Sequence, residues 1–158
     1  MTSRTLYVGH AISTVAKGGR IKIPEPFSTV LSKNGGQLRM LIGKSFTQDC
    51  LICYDMSVRT MDLDQCRSLI YPRHLKKNEP TSDMDRSVLS TLFVSDVSLG
   101  HSFRLPKPLT GSVLEGAKVV FVSLGHAFEI WNIDNLLNSK NIHKNLASLI
   151  EGQKVLLH

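Results

Sequence analysis

Long apolar runs are absent from this 158-residue chain, although 42% of its residues are hydrophobic. No stretch of about 20 apolar residues is available to cross a membrane as a helix. The N-terminal segment also lacks the apolar centre of a signal peptide, so we expect a cytoplasmic protein with no membrane partner. The composition is too apolar for a disordered chain and fits one globular unit, or two small halves that share a core.

Cysteine is scarce, and its placement argues against disulfide and metal chemistry. The three cysteines, Cys50, Cys53 and Cys66, are too few and odd in number for a secreted disulfide scaffold. Cys50 and Cys53 lie in an apolar run that predicts a strand, which would place their Cα atoms about 10 Å apart with side chains on opposite faces. Neither Cys66 nor the histidines supply the second ligand pair of a zinc site. We predict small core residues and no cofactor.

Catalytic motifs are missing as well. The sequence contains no P-loop, no H-E-x-x-H metalloprotease motif and no G-x-S-x-G nucleophile elbow. Core or capping roles explain its serines and histidines better than catalysis does. We therefore expect a protein that is not an enzyme and has no small-molecule substrate.

Acidic residues are missing before Glu25, whereas four basic residues occur there. Residues 1–79 contain 12 basic and 6 acidic side chains, and residues 80–158 contain seven of each. A basic end beside a neutral end favours a polyanionic partner, most simply a nucleic acid. The alternative is a charge excess that only aids solubility. The aromatic stripe typical of single-strand binding is absent near the basic residues, which favours duplex DNA over RNA.

A motif recurs in the two halves with an offset of 82 residues. Residues 20–27, RIKIPEPF, and residues 102–109, SFRLPKPL, both alternate apolar and polar positions and then reach Pro-x-Pro. At the same offset Gly43 aligns with Gly125, and a later apolar segment matches after a five-residue shift. Since one small hairpin unit buries too little surface to be stable alone, two copies that share a core are expected.

Each half is predicted to follow one order of elements. A first strand, a Gly-bearing turn and a second strand that stops at proline are followed by a short helical segment, two strands and a closing helix. We predict a first repeat at residues 1–76, a connector and helix start at 77–90, with Ser82 as a helix cap, and a second repeat at 91–158. The predicted strands are 7–15, 38–42, 49–54, 91–97, 118–124 and 127–131; the predicted helical segments are 27–31 and 109–114, of one or two turns, and 61–71 and 133–150.

Alternation along the second strands predicts an outward basic face. With Ile21 and Ile23 inward, Arg20 and Lys22 face outward, and Arg104 is the equivalent of Lys22 in the second half. Glycines in the preceding turn permit positive φ and close approach of the backbone to a phosphate, although a Gly-Gly pair is also an ordinary hairpin turn. The predicted DNA-binding residues are Lys17, Gly18, Gly19, Arg20, Lys22 and Arg104.

The last predicted strand contains a charge between apolar residues. Because Glu129 alternates with Phe128 and Ile130, we predict that its side chain is solvated or faces another subunit. Trp131 is predicted to be a core or interface residue.

The repeat, the turn that leads from Lys17 into Ile23-Pro24, and the segment LGHAFEIW at residues 124–131 resemble the MraZ family. The resemblance covers roughly residues 6–140. It implies an α+β fold, namely a duplicated AbrB/SpoVT-like swapped-hairpin β-barrel with appended helices, and a homo-oligomer in the form of a ring. It further implies a nucleoid-associated transcriptional regulator that binds short direct repeats in double-stranded DNA upstream of the bacterial division and cell-wall gene cluster, its own promoter included.

The sequence departs from the Asp-x-x-x-Arg signature that this family has in each half. In the first half Ala16 stands at the Asp position, and Arg20 is kept at the Arg position. In the second half Ser98 replaces the Asp and Ser102 replaces the Arg. No acid near in sequence orients Arg20, and the second half is expected to contribute less to DNA binding. Two hypotheses stay open: a sequence-specific transcriptional regulator, and a ring-forming scaffold or nucleoid-associated protein that has lost specific DNA reading.

Overall fold

A computed structural model describes residues 4–70, 83–111, 113, 115–140 and 142–156, so most of the predicted connector, including Ser82, lies outside the described residues. In the described part the strands are β1 His10–Ala16, β2 Arg20–Lys22, β3 Arg39–Lys44, β4 Leu51–Asp55, β5 Phe93–Asp96, β6 Ser102–Arg104, β7 Lys118–Ser123 and β8 Phe128–Asn132. The helices are α1 Glu25–Gly35, α2 Leu63–Ile70, α3 Asp83–Ser90, α4 Ile133–Leu137 and α5 Lys144–Leu156, with short 3-10 helices at Met56–Thr60 and Lys107–Leu109.

The strands form one antiparallel sheet in the order β5-β3-β4-β8-β7-β1-β2-β6. Its two outermost strands, β5 and β6, follow each other in the chain. The Ser98 amide donates to the Ser102 carbonyl at 2.8 Å in the turn that joins them. The sheet is therefore a nearly closed barrel, which confirms the predicted α+β class and its barrel-like sheet.

Aromatic side chains fill the interior of the barrel. Phe27, from α1, lies with its ring centroid 5.5 Å from that of Phe121 and 5.3 Å from that of Phe128. Tyr7 contacts Phe128 with a centroid distance of 5.1 Å. Because α1 adds Phe27 and Leu31 to this core, the helix is fixed against the barrel directly after β2.

Helices cover the outer face of the sheet in two separate clusters. Tyr54 and Cys66 belong to the cluster beneath α2, whereas Trp131 and Ile150 belong to the cluster beneath α4 and α5. Strand β8 separates the outer face from the interior by its alternation, since Phe128 and Ile130 enter the barrel while Trp131 faces outward.

Strand pairing between the two halves is reciprocal. β1 pairs with β7, with Thr14 opposite Lys118, and β5 pairs with β3, with Asp96 opposite Arg39. Each half therefore supplies its first strand to the sheet of the other.

Hydrogen bonds in the connecting turns recur in the same way. The Leu105 amide donates to the Gly19 carbonyl at 2.9 Å, and the Ile23 amide donates to the His101 carbonyl at 2.7 Å. Both the donors and the acceptors differ by 82 positions. The turn of one half is thus tied to the second strand of the other.

The predicted helices needed the largest corrections. The segment at 27–31 is part of the 11-residue helix α1, which ends where Gly36 adopts φ 71° because glycine tolerates the left-handed region. The predicted helix 133–150 is two helices, since α4 ends at Leu137 and α5 begins at Lys144. The segment at 109–114 is helical only as the 3-10 helix that ends at Leu109, within the described residues.

The predicted alignment of Gly43 with Gly125 was wrong. Gly43 lies within β3, whereas Gly125 adopts φ 87° in the turn after β7. By their pairing with the first strands, β3 and β7 correspond at an offset of 79. The longer α1 of the first half accounts for this three-residue shift. Among the described helices, none has the length and apolar character needed to cross a membrane.

Candidate nucleic-acid interface

A tight turn joins β1 to β2 and exposes the backbone of two glycines. Gly18 has φ 80° and Gly19 has φ 76°, values that side-chain-bearing residues rarely adopt. The Gly19 amide donates to the Ala16 carbonyl at 3.1 Å, which closes the turn. Lys17 is exposed at its tip.

Arg20 and Arg104 are register partners in the β2–β6 pair. Ile21 and Phe103, the next pair along these strands, are buried in the barrel. Alternation therefore turns both arginines outward, and both are exposed. Lys22 is exposed on the same face.

Arg104 also reaches the turn. A Cβ atom built on Gly18 would lie 3.8 Å from Nη2 of Arg104. The structure thus brings the six predicted binding residues together on one surface, called the basic face below, which consists of Lys17, Gly18, Gly19, Arg20, Lys22 and Arg104.

The cations of the basic face have no carboxylate partner within the described residues. None of its four cations, Lys17, Arg20, Lys22 and Arg104, forms a salt bridge there. Arg4, by contrast, binds the buried Asp55 through Nη2 at 2.9 Å. Arg4 therefore serves the fold.

One acidic residue that sequence reasoning missed does lie at the turn. The Gly18 amide donates to Oε1 of Glu115, an exposed residue in the segment before β7. Glu115 is 97 positions away in sequence. The reciprocal pairing of β1 with β7 brings it to the turn, and no local pattern signals that pairing.

The second half replaces charge with hydroxyl groups at the corresponding turn. Ser98 Oγ and Ser102 Oγ share a hydrogen bond of 3.1 Å, and Nη1 of Arg20 donates to Ser102 Oγ at 3.3 Å. Arg20 is thus oriented by a serine of the other half, although the local acid is missing. Leu99, at the position that corresponds to Lys17, is 90% exposed.

The prediction of a solvated or subunit-facing Glu129 was wrong. Glu129 is only 8% exposed. Its Oε1 accepts a hydrogen bond from Nε1 of Trp131 at 3.0 Å, and its Oε2 accepts one from Cys50 Sγ at 3.4 Å. The helices over the outer face of β8 bury it, so this carboxylate belongs to the core beneath α4 and α5.

The cysteines are buried free thiols, as predicted. Burial raises the pKa of Cys50, Cys53 and Cys66 above the usual thiol value, which keeps them protonated and unreactive at neutral pH. No cluster of three or more metal-ligating side chains occurs among the residues that the structure describes.

Comparison with known proteins gives the chain no family. No model of a protein family matches it, and no curated protein matches it.

Proposed function

We propose that this protein is a sequence-specific transcriptional regulator of the MraZ type that binds double-stranded DNA through the basic face. The observation that carries the proposal is the pair Arg20 and Arg104, which face each other and form no salt bridge with a carboxylate of the described residues. Like charges directly opposite in a sheet are destabilising. A duplex that supplies phosphates to both arginines explains why the fold keeps them together.

The proposed fold is a duplicated AbrB/SpoVT-like swapped-hairpin barrel. Its support is the strand register, because Ile21 pairs with its own equivalent, Phe103, and Ile52 pairs with its own equivalent, Glu129. A two-fold axis through the two opposite walls of the barrel would require these self-pairings. The reciprocal hydrogen bonds of Gly19 and His101 agree with the same axis.

A homo-oligomeric ring is part of the proposal, with association to the nucleoid as its consequence. Exposed apolar side chains along the N-terminal segment and the turn after β7 offer a surface for contacts between copies; they are Leu6, Val8 and Leu124. Light scattering on the purified chain tests the ring. A mass equal to the 17.6 kDa monomer at micromolar concentration contradicts it.

Phosphate contact by the basic face predicts how strongly the DNA affinity depends on salt concentration. Each neutralised phosphate contributes about −0.9 to the slope of log affinity against log salt concentration. Arg20 and Arg104 have planar guanidinium groups suited to two-pronged phosphate contact, and Arg20 is also suited to reading a guanine edge. Lys17 and Lys22 act as point charges that position the duplex.

The decisive experiment compares two double lysine variants with the same loss of charge. We expect Lys17→Ala/Lys22→Ala to bind a duplex from the region upstream of its own gene about tenfold more weakly, with a salt slope shallower by about 2. Lys33→Ala/Lys144→Ala removes two exposed lysines from α1 and α5 and should bind like the parent. Fluorescence anisotropy measures both, and equal weakening of the two variants contradicts the assignment of the basic face.

A scaffold without specific DNA reading is the second candidate. The exposed Leu99 and the uncharged turn of Ser98 and Ser102 favour it, since half of the face lacks phosphate ligands. Competition with a random duplex of equal length separates the two functions. A regulator discriminates by roughly a thousandfold or more, whereas a scaffold or general nucleoid protein binds both duplexes alike.

A further inference from the structure

The turn between β1 and β2 already binds a carboxylate from its own chain. The Gly18 amide donates to Oε1 of Glu115. A Cβ atom built on Gly18 would lie 3.8 Å from Nη2 of Arg104, and Lys17, the residue before Gly18, is exposed. An outward amide in a left-handed turn among cations is an anion-binding arrangement. A carboxylate oxygen and a phosphate oxygen are alternative acceptors for that N–H.

The contact with Glu115 is not needed to hold the turn. The Gly19 amide closes it onto Ala16 at 3.1 Å, and the Gly19 carbonyl accepts from Leu105 at 2.9 Å. Glu115 itself is exposed, and it forms no salt bridge within the described residues. Its charge is therefore free to leave the turn when a stronger anion arrives.

We propose that the Gly18 amide is a phosphate subsite that Glu115 occupies in the free protein and that a phosphodiester of the duplex takes over on binding. This inference rests on the proposed function of the basic face. Glu115 then acts as an internal competitor that weakens the binding of single phosphate groups. A duplex displaces it because Lys17, Arg20 and Arg104 engage neighbouring phosphates at the same time.

The first test removes the competitor and measures duplex affinity. We expect Glu115→Ala, which removes the acceptor, and Glu115→Gln, which removes only its charge, to bind the upstream duplex about two- to fivefold more tightly than the parent, the range for the interaction of exposed charges. The matched control is Glu25→Gln, which removes an exposed glutamate directly after β2 and should change affinity less. The inference is overturned if Glu25→Gln and Glu115→Gln gain affinity equally, or if neither Glu115 variant gains affinity. Duplex binding by the parent still upholds the proposed function in either case.

The second test needs no DNA. Inorganic phosphate stabilises folded proteins in general, so the comparison is between variants: at matched ionic strength, phosphate relative to chloride should raise the melting temperature of Glu115→Ala more than that of the parent. A larger shift in Glu115→Ala than in the parent, without duplex binding by any variant, supports the subsite and refutes the DNA-binding function. Equal shifts in the parent and in Glu115→Ala show that Glu115 does not close the subsite and overturn the inference.

Discussion

Arg20 and Arg104 are directly opposite each other on β2 and β6, and no carboxylate among the described residues pairs with either. The two strands are only three residues long each. Ile21 and Phe103 anchor them by complete burial in the barrel. The apolar core therefore sets the positions of the two charges, and the fold bears the cost of their repulsion.

Removal of one of these arginines should stabilise the protein while it weakens DNA binding. We expect Arg104→Gln to raise the free energy of unfolding by about 0.2–1 kcal/mol at low salt, because the repulsion across the strands is lost. The gain should shrink as sodium chloride screens the charges. Urea denaturation at two salt concentrations measures the gain.

Lys144→Gln is the control for this change, since it removes one exposed cation from α5. Its free energy of unfolding should stay within about 0.5 kcal/mol of the parent at both salt concentrations. A destabilised Arg104→Gln would show that the arginine contributes packing that outweighs the repulsion.

Asp55 should make the fold sensitive to acid. Burial alone would raise the pKa of Asp55, but hydrogen bonds from Ser57 and Arg4, the charge of Arg4 and a hydrogen bond from Tyr7 hold that pKa below its usual value of 3.8. A carboxyl with a lowered folded pKa stabilises the native state above its unfolded pKa and loses this contribution as the pH falls through the folded value. Stability should therefore decline below about pH 4.

The Asp55→Asn variant tests this coupling. We expect a loss of about 3–5 kcal/mol at pH 7, because Arg4 loses a buried ionic partner, and a flatter dependence of stability on pH below pH 4. Asp96→Asn removes an exposed carboxylate that pairs with Arg39 at 2.7 Å, and a loss of no more than about 1 kcal/mol is expected. Equal slopes of stability against pH in Asp55→Asn and the parent would refute the role of Asp55.

The strands were predictable from sequence because their signals are local. Alternation and the Pro-x-Pro stops predicted β2 and β6 at the positions observed, and the outward orientation of Arg20 and Lys22 followed from the same period. The predicted start of the first strand was less accurate. Tyr7 makes only an isolated bridge with Gly125, and the strand proper begins at His10.

The error at Glu129 and the omission of Glu115 concern residues whose surroundings come from distant parts of the chain. The alternation of polar and apolar residues along β8 predicts a solvated Glu129 side chain, but α4 and α5 cover that face of the sheet. Glu115 reaches Gly18 only because β1 pairs with a strand of the other half. Neither contact leaves a trace in local composition, so neither could be predicted from the sequence.

Helix α5 should depend chiefly on Ile150 for its attachment, beside the partly buried Leu146 and the ion pair of Lys154 with Asp134. Ile150 is fully buried against the cluster that contains Trp131, whereas its neighbour Leu149 is 56% exposed. We expect Ile150→Ala to lower the free energy of unfolding by about 2–5 kcal/mol and Leu149→Ala to lower it by less than about 0.5 kcal/mol. Chemical denaturation followed by the fluorescence of Trp131 measures both; equal losses would show that α5 does not pack as described.

The turn between β1 and β2 and the turn between β5 and β6 should respond in opposite ways when a glycine is replaced and when one is introduced. Gly19 has φ 76° and His101, at the corresponding position, has φ 64°. A Cβ on Gly19 would meet no atom closer than 3.8 Å, so Gly19→Ala should cost only the strain of the left-handed backbone, about 1–2 kcal/mol. His101→Gly releases that strain, although the more flexible unfolded chain offsets part of the gain, and we expect a change between zero and about 1 kcal/mol in favour of folding.

Gly111→Ala, at ordinary φ in open space, is the control and should be neutral or slightly stabilising. Thermal unfolding of the three variants measures these signs, and a destabilised His101→Gly would mean that the imidazole makes a contact worth more than the strain it imposes.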